Sequence, residues 1–193
     1  MTQEIEIEFK VLLSEDQYER LATSLPFPKV PVTQINHYFE TDDFALRSQK
    51  SALRIREKRG KYFLTLKELH EEGILETHDV LNEEEFASWL NGRPIPKRHT
   101  TERLKLLGIS IEEFKYFGAL TTERKTFTEG EIHYFLDKSY YHDTVDYELE
   151  IEAPNKEKGL RAFRAILNKY RIERKKPITK IERFFHSLHQ KRH

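Results

Sequence analysis

Glu4-Ile5-Glu6-Ile7-Glu8-Phe9-Lys10 opens the chain with charged and apolar side chains in unbroken alternation. Successive side chains of a β-strand point to opposite faces. Glu4, Glu6, Glu8 and Lys10 therefore share one face, and Ile5, Ile7, Phe9 and Val11 the other. Three carboxylates and an ammonium in one row make a poor solvated surface unless charged groups meet them. The pattern returns near the other end as Asp146-Tyr147-Glu148-Leu149-Glu150-Ile151-Glu152. Two such acidic strands are much stronger evidence for a buried, ligand-lined face than either alone. Basic counterparts keep the same spacing. Arg54 and Arg56 stand opposite Leu53 and Ile55, Thr65 and Lys67 opposite Leu64 and Leu66, and Arg124 lies within the strand pattern of 116–127.

Composition bounds the class. The 193 residues suit one domain with helical additions and suffice for a real core. Lys plus Arg, at 33, equals Asp plus Glu, so the net charge is zero, which argues against a protein held to nucleic acid or membrane by bulk positive charge. No cysteine is present, which excludes disulfides, zinc–thiolate sites and thiol catalysis. No apolar run is long enough to span a bilayer, and residues 1–30 lack the apolar core of a signal peptide, so a soluble, cytosolic protein is expected.

The local signals alternate between strand and helix. Ser14 followed by Glu15 and Asp16 predicts a capped helix that stops near Pro26. Strands are expected over 34–41, over 52–58 and 62–67 around a turn at Arg59-Gly60-Lys61, and over 74–81 after Gly73. Asn82 and the acids after it open one helix, and Thr101 opens a second that Gly108 ends, giving a helical insertion over about 82–108. Strands return over 116–127, 132–141 and 146–153. An amphipathic helix over 156–170 and a short helix from Ile178 to about 189 complete the chain. Roughly eight mostly antiparallel strands with interposed helices describe an α+β chain whose sheet can close into a barrel.

Carboxylates two residues apart on a strand lie about 7 Å apart at the backbone, close enough to converge on one hard cation. Mg²⁺ and Mn²⁺ favour such oxygen ligands and accept phosphate oxygens beside them. Arg and Lys on neighbouring strands suit those phosphates. Acids and bases in equal number match a site for a metal–polyphosphate complex.

Glu6-Ile7-Glu8-Phe9-Lys10 also resembles the ExExK signature of the CYTH, or triphosphate tunnel metalloenzyme, superfamily, and especially its small bacterial members. The resemblance continues in order through HYFET at 37–41, LRIR at 53–56, LTLK at 64–67, TTER at 121–124, Leu136-Asp137, ELEIE at 148–152 and TKIER at 179–183. It implies an eight-stranded antiparallel barrel forming a tunnel, as a single domain over 1–193. It implies Glu6, Glu8, Glu150 and Glu152 as ligands of Mg²⁺ or Mn²⁺, with Glu4 and Glu148 as neighbours and Glu76 and Asp137 as further acids. Lys10, Arg54, Arg56, Lys67, Arg124, Lys180 and Arg183 would grip the triphosphate, and Glu6, Glu8 and Lys10 form the catalytic core. His78 stands on the face of Glu76, where the family more often has an acid. The implied activity is metal-dependent hydrolysis of a small triphosphate, inorganic triphosphate being favoured because no ring-recognition motif is evident. Adenylate cyclase, thiamine triphosphatase and a non-catalytic binder of polyphosphate or nucleotide are the alternatives.

Overall fold

The computed structural model describes residues 2–174 and 178–190. In chain order the elements are β1 (Gln3–Glu6), β2 (Glu8–Leu13), α1 (Glu15–Ser24), β3 (Val32–Glu40), α2 (Ala45–Ser48), β4 (Ala52–Lys58), β5 (Lys61–Leu69), β6 (Ile74–Leu81), α3 (Glu83–Leu90) and α4 (Arg98–Leu106). A one-turn 3₁₀ helix (Ile111–Glu113) then leads to β7 (Lys115–Glu129), β8 (Ile132–Tyr141), β9 (Thr144–Glu152), α5 (Lys156–Tyr170) and α6 (Lys180–Gln190). The strands form one antiparallel sheet in the order β1-β6-β5-β4-β3-β7-β8-β9-β2. The count is nine where the sequence suggests eight, because the opening strand is cut at Ile7. Before the cut it pairs with β6, Glu4 opposite Glu76; after it the partner is β9, Glu8 opposite Glu152. Joining β1 to β2 restores the eight-strand order of the barrel fold. Among the described residues no helix is long and apolar enough to cross a membrane.

Two compact units divide the chain, one of residues 1–6 and 34–119, the other of 7–33 and 120–193. In the first, strand alternation sends Phe39, Leu53, Ile55, Leu64, Leu66 and Leu81 into a core with Trp89, Leu104 and Phe114. The predicted Arg59-Gly60 turn forms with both residues at positive φ (51° and 70°), the twist that tight hairpins require. Asn82 closes a capping box with Glu85 at the start of α3. Helix α4 starts at Arg98 rather than Thr101. Its own N-cap, Lys97, offers no side-chain bond; instead Asp79 of β6 accepts from the Thr100 backbone N–H (2.7 Å) and hydroxyl (2.8 Å). A bidentate pair from Arg103 to Glu68 (2.9 and 2.8 Å) fixes the same helix to β5.

In the second unit, Val11, Leu13, Tyr134, Leu136, Leu149 and Ile151 form the apolar side of β2, β8 and β9 and pack against Tyr18 and Leu21 of α1 and Phe163, Ile166 and Leu167 of α5. Ser14 caps α1 with a full capping box, and Asn155 caps α5. Gly159 lets α5 approach β2, since a β-carbon there would run into the Phe9 ring.

Gly73 has a sharper constraint, because a β-carbon would collide with the Glu6 carbonyl oxygen and the Ile5 side chain. Gly60 has open space around it and only its positive φ to defend. Gly73→Ala is therefore expected to destabilise by about 3 kcal/mol and Gly60→Ala by about 1 kcal/mol. Urea denaturation of both variants tests this ordering, and equal losses would contradict it.

Candidate functional site

Each unit carries charge on the sheet face opposite its core. In the first, register alone brings the groups together. Glu4 lies opposite Glu76, Glu76 opposite Lys67, His78 opposite Thr65, and Thr65 opposite Arg54. Lys67 Nζ is ion-paired to Glu76 and lies 3.0 Å from Glu6 Oε2. Arg54 Nη2 is 3.7 Å from Glu76, and its buried Nε has no hydrogen-bond partner. His78 Nε2 faces Glu4 at 3.2 Å and Glu76 at 3.3 Å, while Nδ1 meets the Thr65 hydroxyl at 3.0 Å. Facing two carboxylates, Nε2 is a donor in this network. Arg56 donates from Nε to Asn36 Oδ1 at 3.3 Å.

Lys67 is shared by two carboxylates that respond differently. Burial pushes the Glu6 carboxyl up to about 7, against the pull of Lys67 and with the help of neighbouring Glu76. Burial also opposes ionisation of Glu76, but Lys67 and Arg54 outweigh it and hold that group down at about 2. The pair thus keeps one proton into the neutral range, on the Glu6 side.

The second unit holds the denser cluster. Asp137 lies opposite both Arg124 and Glu148, and Lys10 opposite Glu150. Arg124 donates to Asp137 at 2.8 and 2.7 Å and to Glu150 at 3.1 Å, with its guanidinium 4.3 Å from the Phe135 ring centre. Lys180, from the first turn of α6, is ion-paired to Asp137 and reaches Glu148 at 2.7 Å. One turn on, Arg183 binds Asp146 at 2.8 Å and Glu148 at 3.0 Å. Lys10 is ion-paired to Glu8, whose second oxygen is buried without a hydrogen-bond partner. Burial alone would protonate Asp137, but Arg124 and Lys180 together hold its carboxyl below the usual range. For Lys180 the same balance runs the other way: burial opposes the charge, and Asp137 and Glu148 raise the pKa. Lys10 is likewise raised by Glu8, Glu150 and Glu148 despite burial.

The residues named from sequence therefore gather into two groups. Glu4, Glu6, Arg54, Lys67, Glu76 and His78 meet in the first unit, and Glu8, Lys10, Arg124, Asp137, Glu148, Glu150, Lys180 and Arg183 in the second. Glu6 and Glu8, neighbours in the motif, keep different company. Glu152 stands opposite Glu8 and His133, beside the three buried acids rather than among them. Arg56 lies one step along β4 from Arg54, against Asn36. The sequence reading passes over Asn36 and Phe135, and it puts Asp146 and Thr65 on charged faces without giving either a role. Strand parity would have placed Asn36 and Phe135 there as well.

Among the described residues, two acidic groups have the geometry to hold a cation. Ligand atoms of Asp137, Glu148 and Glu150 lie within 4.8 Å of one another, as do those of Glu4, Glu76 and His78. The first set is all carboxylate oxygen, which Mg²⁺ and Mn²⁺ both favour, and the unpartnered Glu8 oxygen adds a further buried donor in the same unit. The second includes an imidazole, which suits Mn²⁺ better than Mg²⁺.

Residues 4–185 match the family model described as the CYTH domain. YjbK of Bacillus subtilis (strain 168), provisionally named a triphosphatase, is 42% identical over 188 residues that cover 96% of each chain. A Bacillus halodurans crystal structure, provisionally described as an adenylate cyclase, superposes with a TM-score of 0.92 at 39% identity, covering 96% of this chain and all of the other. HpAC1 from Hippeastrum, described as a provisional adenylyl cyclase with a dominant triphosphatase activity, gives a TM-score of 0.79 at 25% identity over 95% of this chain and 96% of its own. With these matches spanning nearly the whole of its length, the chain belongs to the CYTH domain family.

Proposed function

We propose that the protein is a divalent-metal-dependent triphosphatase that hydrolyses a phosphoanhydride bond of a small triphosphate. The observation that carries this reading is the buried group of Asp137, Glu148 and Glu150 interleaved with Arg124 and Lys180. Well-packed apolar residues of similar volume are commonly as stabilising as buried ion pairs, so such a group is poorly explained by stability. Its charges suit a ligand that brings both signs, a metal cation and a phosphate chain.

In this reading Glu8, Asp137, Glu148 and Glu150, with Glu152 beside them, hold Mg²⁺ or Mn²⁺ in the second unit, and Glu4, Glu6 and Glu76 serve the same chemistry in the first. When bound, the metal neutralises phosphate oxygens and lowers the pKa of coordinated water. Lys10, Arg124, Lys180 and Arg183, and separately Arg54 and Lys67, exchange part of their carboxylate contacts for phosphate oxygens, with Arg56 one row further along β4. There they stabilise the negative charge that shifts to the leaving phosphate as water attacks the terminal phosphorus. Inorganic triphosphate contains everything these cations grip and is the minimal substrate. The triphosphatase naming of YjbK and HpAC1 supports hydrolysis over cyclisation.

A panel of triphosphates assayed with Mg²⁺ and with Mn²⁺ tests the proposal. Phosphate release is expected with one or both metals and should vanish on chelation. Glu6→Ala combined with Glu8→Ala should abolish it, and Lys67→Ala or Arg124→Ala should lower kcat/KM about 10²–10³-fold. Folded protein without phosphate release from any substrate would sink the reading, and cyclic AMP from ATP would redirect it.

A second expectation concerns protons. Glu6 is held up to about 7, so it carries a proton below neutrality and must lose it to ligate a cation. Metal affinity should therefore rise with pH through about 7, and near pH 6 binding should release about one proton. Titration calorimetry in two buffers of different ionisation heat measures this, and Glu6→Gln should remove the release. The same raised pKa means that this group's contribution to apo stability falls as pH climbs from 4.5 towards about 7.

A further inference from the structure

The charged face of the first unit changes character along its strands. Reading the register across β6, β5, β4 and β3 divides it into rows. Glu76 and Lys67 share one row with Ala52. His78, Thr65, Arg54 and Tyr38 form the next. Val80, Phe63, Arg56 and Asn36 form the one after it. Rows follow each other at about 7 Å, two residues of strand. The first is ionic, the second mixes a guanidinium with an imidazole and two hydroxyls, and the third sets an aromatic ring and an aliphatic side chain beside an arginine and an amide.

That third row is out of keeping with the face that holds it. Val80 is 63% exposed. Phe63, only partly buried, has no ring partner among the described residues, whereas Phe39, Tyr62, Phe86 and Trp89 of the same unit all do. Arg56 is steadied by Asn36. Two residues further along β3 on the same face, Gln34 is 3% exposed, and its side-chain carbonyl oxygen has no hydrogen-bond partner. A partly buried ring without a ring partner, a neighbouring guanidinium and an unpartnered buried amide oxygen are elements that recognise a heteroaromatic base: a ring to stack on and an acceptor for a ring or amino N–H. The opposite end of the face also finishes in apolar residues, Leu69 and Ile74, but offers neither a ring nor an amide.

We propose that the row of Asn36, Arg56, Phe63 and Val80 is a nucleoside subsite, with Phe63 carrying the base of a nucleoside triphosphate whose phosphates extend past Arg54 towards Lys67. The inference rests on the triphosphate reading and narrows its substrate class. Phosphates bound at Arg54 and Lys67 leave their organic substituent directed at the third row, one step away. Inorganic triphosphate would fill the first two rows and leave the third empty. Phe63 and Val80 then act as specificity determinants that take no part in bond breaking.

The test compares ATP with inorganic triphosphate, in the presence of Mn²⁺, on the wild type, Phe63→Leu and Phe63→Tyr. Leucine keeps the apolar volume and removes the ring face; tyrosine keeps the ring. Phe63→Leu should raise KM for ATP about tenfold while leaving inorganic triphosphate unchanged, and Phe63→Tyr should behave as wild type. If Phe63→Leu fails to fold, Val80→Ser, at an exposed position, should show the same selectivity with a smaller amplitude. Equal effects on both substrates, no effect on either, or a wild type that neither turns over nor binds ATP would overturn the subsite. Should no substrate be hydrolysed at all, thermal stabilisation by ATP against inorganic triphosphate carries the same comparison. A failure of the hydrolytic reading thus remains distinct from a failure of this one.

Discussion

The second unit depends on one constraint: Asp137 has none of its surface exposed to water, and a carboxylate so placed stays ionised only if cations reach it. Arg124 comes from the neighbouring strand in register, and Lys180 from α6. Once both are there, Glu148 and Glu150 can be buried as well, because the same two cations serve them. Each acid lowers the cost of burying the next cation, and each cation that of the next acid. Removing any member would leave its partners as unpaired charges in a poorly solvated place, which is far more costly than the pair itself is worth.

This network also ties the last helix to the acidic face. Helix α6 anchors its apolar side through Phe184 and Phe185, both buried, while Lys180 and Arg183 on adjacent turns enter the acidic face. Ser187 meets His142 at 2.6 Å in the β8–β9 turn. A helix held jointly by burial and by charge has its position linked to whatever occupies the carboxylates it binds.

Most of the fold was legible because its signals are local. Alternation fixed β4, β5, β6, β8 and β9 to within a residue or two, capping residues located α1 and α3, and apolar periodicity located α5. The start of α4 was not, because its cap is Asp79, a group from another strand that sequence spacing cannot reveal. The short α2 was invisible for a related reason. Its first-turn backbone N–H groups at Leu46 and Arg47 are satisfied by the buried Glu40 carboxylate, several residues upstream. The site was legible as an inventory and not as a grouping. Parity tells which side chains share a face, but only pairing tells that Lys67 stands between Glu6 and Glu76, or that Lys10 belongs with Glu8 and Glu150. The third row was likewise hidden, since Phe63 looks like any strand phenylalanine until the register sets Arg56 and Val80 on either side of it.

The break at Ile7 has a consequence in time. Residues 3–13 are synthesised well before their partners, since β1 pairs with residues 74–77 and β2 with residues 147–152. Such contacts close very large loops and form late. For most of synthesis the opening segment is an unpaired strand, the kind of element that joins edges of other chains. Its row of Glu4, Glu6 and Glu8 is unsuited to stacking against a copy of itself, because like charges would face each other. The alternation that later supplies carboxylates to a buried site thus serves, while the nascent strand waits for β6 and β9, as a guard against aggregation.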